Sequence, residues 1–329
     1  MLYKSIEVVE FDLNTVCNSY CPPCHRYTVQ DGELFHNPYV KLNTQLDIEV
    51  IKRVFDNDRI EEYCCVDLVG LVGEPVAHPK FMEIIDIIYE RRPEATINLH
   101  TNGGLRTEKF YYDLGKKLNS RSWVKFALDG LEDTNGIYRI GVDFNKALNN
   151  MKAFIAGGGN AIWKMVIFEW NKHQEEEAKA LSEELGCVRF QRVMDVNSQE
   201  INRYMSAAQN KINKKVASTS ADMILIPPGT SSEIEDQCFS QNKVYINAHG
   251  FVIPCCMVNS ATTYESMRDQ TLEFIKEDRS PDWNSLYYND FETIMSDTWW
   301  QKLKDSFEDK PCAICIYSCG KESDGRIID

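Results

Sequence analysis

The chain has 329 residues, 43% hydrophobic and 11% aromatic, enough to bury a real core in one large domain or two ordinary ones. A net charge of −14 argues against a phosphate-tracking nucleic-acid surface, and no apolar run reaches the ~18 residues of a membrane helix. The N-terminal stretch MLYKSIEVVEFDLN has no signal-peptide pattern, so a cytoplasmic, reducing setting is expected, and the twelve cysteines call for metal or catalysis rather than disulfides.

The elements alternate along the chain. Residues 5–13 read as a strand and 46–56 as a helix. Strands at 64–70, 95–101, 123–129 and 161–170 are followed by helices at 78–92, 107–118, 143–157 and 173–186, and 187–194 is a final strand. Asn119 and Gly186 close two of the helices. The GGG at 157–159 lacks the Lys-Ser/Thr of a phosphate loop and reads as a helix exit. This order implies βαβ units and a parallel sheet, with chemistry gathered at the C-terminal ends of the strands. CNSYCPPC (17–24), VGEP (72–75), TNG (101–103) and DG (129–130) all fall at such ends. Beyond residue 195 the rhythm stops. Residues 196–237 read as a bridging segment, KVYINAHGFVIPCC (243–256) as a hairpin, and 293–307 as a helix.

Three thiols, Cys17, Cys21 and Cys24, sit within eight residues. Zinc wants four ligands, and His25 could supply the fourth. Three clustered thiolates with no fourth suit an iron–sulfur cluster that leaves one iron open. Asn98, His100 and Asn102 alternate along one strand and share a face. Polar groups facing the inside of a barrel are costly unless they serve a ligand.

The spacing Cys17-x3-Cys21-x2-Cys24 after the first strand resembles the radical S-adenosylmethionine (SAM) enzymes. The resemblance covers residues 8–195. It implies a partial (β/α)6 TIM-type barrel over 1–195, and a 4Fe–4S cluster on these three cysteines whose open iron binds SAM. The bound SAM is cleaved to a 5′-deoxyadenosyl radical that abstracts hydrogen. LVGEPVAHP resembles the segment that meets the SAM ammonium, with Val72 in place of the first Gly and with Gly73 and Glu74 retained. LHTNG resembles the strand lining the SAM pocket, with Asn102 as the polar contact. FALDGLEDTNGIYRIG resembles the Asp-Gly stretch with its later Tyr-Arg and brings in Asp129. The residue before the third cysteine, usually aromatic in the family, is Pro23. An electron donor such as flavodoxin or ferredoxin is implied.

The C-terminal cysteines resemble the SPASM/twitch auxiliary-cluster domain, here over 238–329 as a small α+β unit. Cys238 is followed after eleven residues by Gly250 and after four more by Cys255, and Cys312 and Cys315 form a CxxC pair. The resemblance implies one auxiliary 4Fe–4S cluster on Cys238, Cys255, Cys312 and Cys315, with Cys319 as the alternative fourth ligand. Zinc is the competing occupant. Cys64 and Cys65 read as core thiols. Cys187, Cys256 and Cys319 are candidates for a free thiol that returns hydrogen to substrate. In resembling enzymes the substrates include peptides, aminoglycoside-type sugars and nucleotides. Cys17 is expected to lie too close to the start for a fused peptide-recognition domain. The inner face (Asn98, His100, Lys125, Asp129) suits a polar substrate, and Arg189 and Arg192 could hold an anion or merely lie on the surface. The leading expectation is oxidation or cross-linking of a peptide or small polar metabolite. The alternatives are a radical epimerase and a non-catalytic zinc or iron–sulfur module.

Overall fold

The computed structural model describes residues 3–22, 24–30, 33–194, 234–263 and 265–320. Pro23 and most of the expected bridging segment (195–233) lie outside the described residues. The strands are β1 Ile6–Asp12, the hairpin β2 Tyr27–Gln30 and β3 Glu33–His36, β4 Ile60–Val69, β5 Thr96–Thr101, β6 Trp123–Ala127, β7 Asn160–Ile167, β8 Arg189–Met194, β9 Lys243–Ile246 and β10 Val252–Ile253. Between them lie α1 Ile48–Phe55, α2 Phe81–Arg91, α3 Glu108–Lys117, the short α4 Asn135–Tyr138, α5 Phe144–Ala156 and α6 Glu175–Glu184. Among the described residues, eight strands form one open sheet in the order β10-β9-β1-β4-β5-β6-β7-β8, parallel except at β10. The parallel sheet expected from the alternating elements, and the partial barrel implied by the resemblance, are therefore present.

Strand alternation builds the two faces. Val9, Phe11, Val66, Leu68, Ile97, Leu99, Val124, Phe126, Trp163 and Met165 join the core under the helices, with Phe55, Ile84, Leu114 and Phe154 packed on them. The intervening residues (Glu10, Asp12, Asp67, Asn98, His100, Lys125 and Lys164) form a polar inner face. Side-chain caps fix where the helices start: Asp47 accepts from Glu49 N, Thr107 from Phe110 N and Asp143 from Lys146 N.

Three features depart from the sequence reading. The hairpin β2–β3 follows the cysteine loop directly. The helix expected over 293–307 is two helices, Phe291–Ser296 and Trp299–Asp309. Asp297 between them is extended (φ −64°, ψ 142°), and its carboxylate caps Trp299 N at 2.7 Å. The cysteine-rich stretch near the C-terminus is helical over Ala313–Cys319. The expected hairpin at 243–256 is present as β9–β10. Its strand β9 pairs parallel to β1, in register Val8↔Lys243 and Phe11↔Ile246, so the C-terminal segment extends the main sheet.

Candidate functional site

The loop from Asp12 to Tyr27 carries Cys17, Cys21 and Cys24, and hydrogen bonds hold it to neighbouring strand ends. Asn14 Oδ1 accepts from Val16 N (2.7 Å), Asn14 Nδ2 donates to Glu74 O (3.0 Å), and Glu74 N donates to Val16 O (2.8 Å). Gly73 is required by this contact, because a Cβ there would lie 2.0 Å from Asn14 O. Arg26 runs beneath the loop and donates to Cys17 O (3.3 Å) and to Ser19 O. Ser19 N donates to Cys17 Sγ (3.4 Å), and Ser19 Oγ lies 3.0 Å from Cys21 Sγ.

Glu74 is 3% exposed. Its Oε1 accepts from Thr101 Oγ1 (2.6 Å) and its Oε2 from Asn102 N (2.8 Å). Burial pushes its pKa up to about 7, and these hydrogen bonds oppose the rise. Asn102 Nδ2 donates to Asn18 Oδ1 (2.9 Å) and reaches Cys17 Sγ at 3.6 Å. Burial, followed by the charge of Glu74, pushes the Cys17 thiol up to about 12; burial also raises Cys24.

Asp129 is fully buried. Its Oδ1 accepts from Val166 N (2.7 Å) and its Oδ2 from Arg139 Nε (2.6 Å). Arg139 Nη1 reaches Cys21 Sγ at 3.5 Å. The fold thus brings the ends of β1, β4, β5 and β6 to one rim, with Glu74 and Asn102 beside Cys17 and the Asp129–Arg139 pair beside Cys21. Arg139 entered the sequence reading only as part of the Tyr-Arg stretch, and its place here follows from the turn of α4. His25 turns its ring to Ser260 Oγ (3.3 Å) and Thr263 Oγ1 (3.4 Å).

The second cysteine group surrounds a cavity at the far edge of the sheet, lined by Cys238, Cys255, Cys315 and Cys319 with apolar side chains such as Leu303 and Phe307. Gly250 (φ +78°) makes the turn that returns the chain from β9 to Cys255. Cys312 Sγ lies 3.0 Å from Cys315 Sγ, while Cys315 and Cys319, one helical turn apart, both face the cavity. Ser318 Oγ, also on the lining, is buried without a hydrogen-bond partner among the described residues. Burial pushes Cys255 up to about 11 and raises Cys238. Among the described residues no group of three His, Cys, Asp or Glu side chains is close enough to hold a single metal ion.

The remaining cysteines separate by position. Cys64 is in the core, but Cys65, its neighbour on β4, faces the other way. Its thiol donates to Asp67 Oδ1 (3.3 Å) and accepts from Asn98 Nδ2 (3.0 Å). Cys187 packs at the edge of the core, 3.8 Å from Met151 Sδ. Cys256 opens the helix Cys256–Ala261 with its thiol against Glu10, whose carboxylate is paired with Lys243. Arg189 is exposed, and Arg192 pairs with Glu175 (2.8 Å) at the surface.

In comparisons with known proteins, the family described as the Radical SAM superfamily matches residues 13–185. No curated protein matches the sequence. The fold is similar to that of Streptococcus suis SuiB bound to its precursor peptide SuiA, with TM-score 0.57, 13% identity, and coverage of 91% of this chain and 66% of SuiB. It is also similar to His-tagged anSMEcpe with bound AdoMet (TM-score 0.55, 14% identity, 98% of this chain and 88% of that one). Native anSMEcpe with AdoMet and the Cp18Cys peptide gives TM-score 0.54 at 15% identity, covering 97% and 91%. The chain spans less than two thirds of the length of SuiB. No helix among the described residues is long and apolar enough to cross a membrane.

Proposed function

The chain belongs to the Radical SAM superfamily, and from that premise we propose that it is a hydrogen-abstracting enzyme acting on a peptide or small polar metabolite. Cys17, Cys21 and Cys24 would hold the family's 4Fe–4S cluster, with one iron left for SAM. The donor set fits: three partly buried thiols share one loop, and Gly73 leaves no room for a side chain beside it. When bound, the cluster and SAM supply a 5′-deoxyadenosyl radical that removes hydrogen from substrate.

The observation that carries this reading is the convergence of Cys17, Glu74, Asn102 and Arg139 at one rim. Glu74 offers a buried carboxylate for an ammonium group, and the arriving cation would hold it ionised. Asn102 and Gly104 N–H pin the β5 turn beside it. Asp129 keeps Arg139 charged and aimed at the cysteine loop.

The auxiliary 4Fe–4S cluster proposed for the unit 238–329 would sit in the cavity lined by Cys238, Cys255, Cys315 and Cys319, with Cys312 behind Cys315. The Ser318 hydroxyl on the lining, without a hydrogen-bond partner among the described residues, supports an occupant there. SuiB with SuiA and anSMEcpe with Cp18Cys are the precedents for a peptide substrate. A flavodoxin- or ferredoxin-type donor in the cytoplasm completes the proposal.

A specific observation favours a second reaction course. Cys256 sits on the inner face beside Glu10, where a thiol could return hydrogen, as in a radical epimerase. The test is anaerobic reconstitution with iron and sulfide, followed by SAM and a strong reductant. Formation of 5′-deoxyadenosine is expected. A colourless protein that holds only zinc overturns the reading. Solvent deuterium in the product selects the epimerase course over oxidation.

A further inference from the structure

We propose that the inner face of the sheet carries an anion subsite, centred on Lys164 and flanked by His100 and Lys125, that takes a carboxylate or phosphate group of the substrate. The inference names a substrate class for the reaction proposed above and rests on that reading.

The register puts the three residues together. His100 on β5 is level with Lys125 on β6, and Ala127, two residues along the same face of β6, is level with Lys164 on β7. Their neighbours on the opposite face (Leu99, Val124, Phe126, Trp163 and Met165) are core, so the three cannot turn toward the helices without leaving the inner face. Trp123 braces the group, with Lys125 Nζ 4.9 Å from its ring centroid and the His100 ring at 5.5 Å.

Among the described residues, no carboxylate pairs with the Lys164 ammonium. Elsewhere on the inner face and rim, Lys243 is paired with Glu10 and Arg139 with Asp129. Asp67 is engaged by Asn98 Nδ2 (2.9 Å) and by the Cys65 thiol. The Lys164 ammonium makes no hydrogen bond or ion pair with any described residue, although the side chain is half-buried. Burial and then the Arg139 charge lower its pKa, against the opposing charge of Asp129, which is itself bonded to Arg139. A partly buried ammonium with no anion in contact among the described residues is costly, and a substrate anion would supply that contact. His100 is neutral, its pKa brought down to about 3 by burial and the surrounding lysines, so it can donate a ring N–H to the same anion. One step down the strand, Asn98 is buried (7% exposed) and its Oδ1 has no hydrogen-bond partner among the described residues. It is an acceptor for an N–H or O–H of the same molecule. The complement is an anion with a hydrogen-bond donor nearby, such as an acidic residue of a peptide or a phosphorylated polar metabolite.

The test uses the lowered basicity of Lys164. The full-length reconstituted chain is labelled with an amine-acylating reagent, and each lysine is read by mass spectrometry with glutarate, with inorganic phosphate, and without either. Lys109, with its side chain 82% exposed, is the internal reference. A probe at ten times its dissociation constant should slow labelling of Lys164 about ten-fold and leave Lys109 unchanged. Protection by glutarate alone assigns a carboxylate, by phosphate alone a phosphate, and by both a site that reads charge. Protection by neither, up to concentrations well above the roughly millimolar constants expected of single charge contacts, overturns the subsite. Formation of 5′-deoxyadenosine by the same preparation reports on the radical SAM reading independently, so the two can fail separately.

Discussion

Replacing Asp129 with Asn tests the rim at its most buried ion pair. The substitution keeps the shape, and Asn Oδ1 can still accept the Val166 N–H now bonded at 2.7 Å. What disappears is the negative charge 2.6 Å from Arg139 Nε. Arg139 then becomes a cation with 17% of its side chain exposed and no carboxylate partner. Removing one member of a buried pair costs about 3–5 kcal/mol. The remaining exposure of Arg139 and its contact with Cys21 put the expected loss near the lower end, about 3 kcal/mol. The charge-free pair D129N/R139M should recover part of that loss, because no buried charge is left stranded. The assay is chemical denaturation of the metal-free chain for the wild type, both single variants and the double variant. A D129N loss below about 1 kcal/mol, the range of an exposed pair, would refute the claim that Asp129 holds Arg139 in place.

Glu74→Gln reports on the other side of the rim through pH. Burial raises the folded pKa from 4.5 to about 7, so the wild type loses stability as pH rises through that window. The loss amounts to about 3 kcal/mol that E74Q should not show, and parallel denaturation-versus-pH curves for the two proteins would contradict it. Gly73→Ala forces a methyl to within 2.0 Å of Asn14 O and should cost about 3 kcal/mol by overpacking, read as a fall in Tm; an unchanged Tm would mean that the loop yields freely. At the second cysteine group, iron and sulfide content should fall by one cluster's worth in C255S and C319S and by less in C312S, because Cys319 faces the cavity and Cys312 does not. Equal losses in C312S and C319S would move the cavity's fourth thiol.

The layered architecture was legible because its signals are local. Alternation in SIEVVEFDL and ATINLHT, and helical spacing in FMEIIDIIYER, each come from residues a few positions apart. The cysteine spacing and the strand-end motifs were legible for the same reason, and the structure brings them to one rim. Cys64 and Cys65 could not both be core thiols, since consecutive strand residues point to opposite faces; the alternation that identified β4 already separated them. The helix at Ala313–Cys319 was obscured by three cysteines, whose spacing reads as ligand chemistry rather than as an apolar stripe. The break at Asp297 depends on one side chain capping the next turn in place of continuing the helix, a choice that periodicity does not register.

What no local pattern could reveal is the pairing of β9 with β1, between segments more than two hundred residues apart. Its consequence is physical. β1 leads into the cysteine loop on one side and hydrogen-bonds to the C-terminal hairpin on the other. At its end Asp12 accepts from Tyr245 OH, that hydroxyl accepts from Asn259 Nδ2 (3.3 Å), and Asn259 Oδ1 accepts from Asn247 Nδ2 (3.0 Å). Asp12 is wholly buried, so leaving any member of this chain unpaired would carry the full desolvation cost of a polar group. Displacing the hairpin breaks the ladder and the side-chain network together. The two cysteine groups are therefore tied to one shared strand, and the inner face that carries Lys164, with Cys256 against it, belongs to a single continuous sheet.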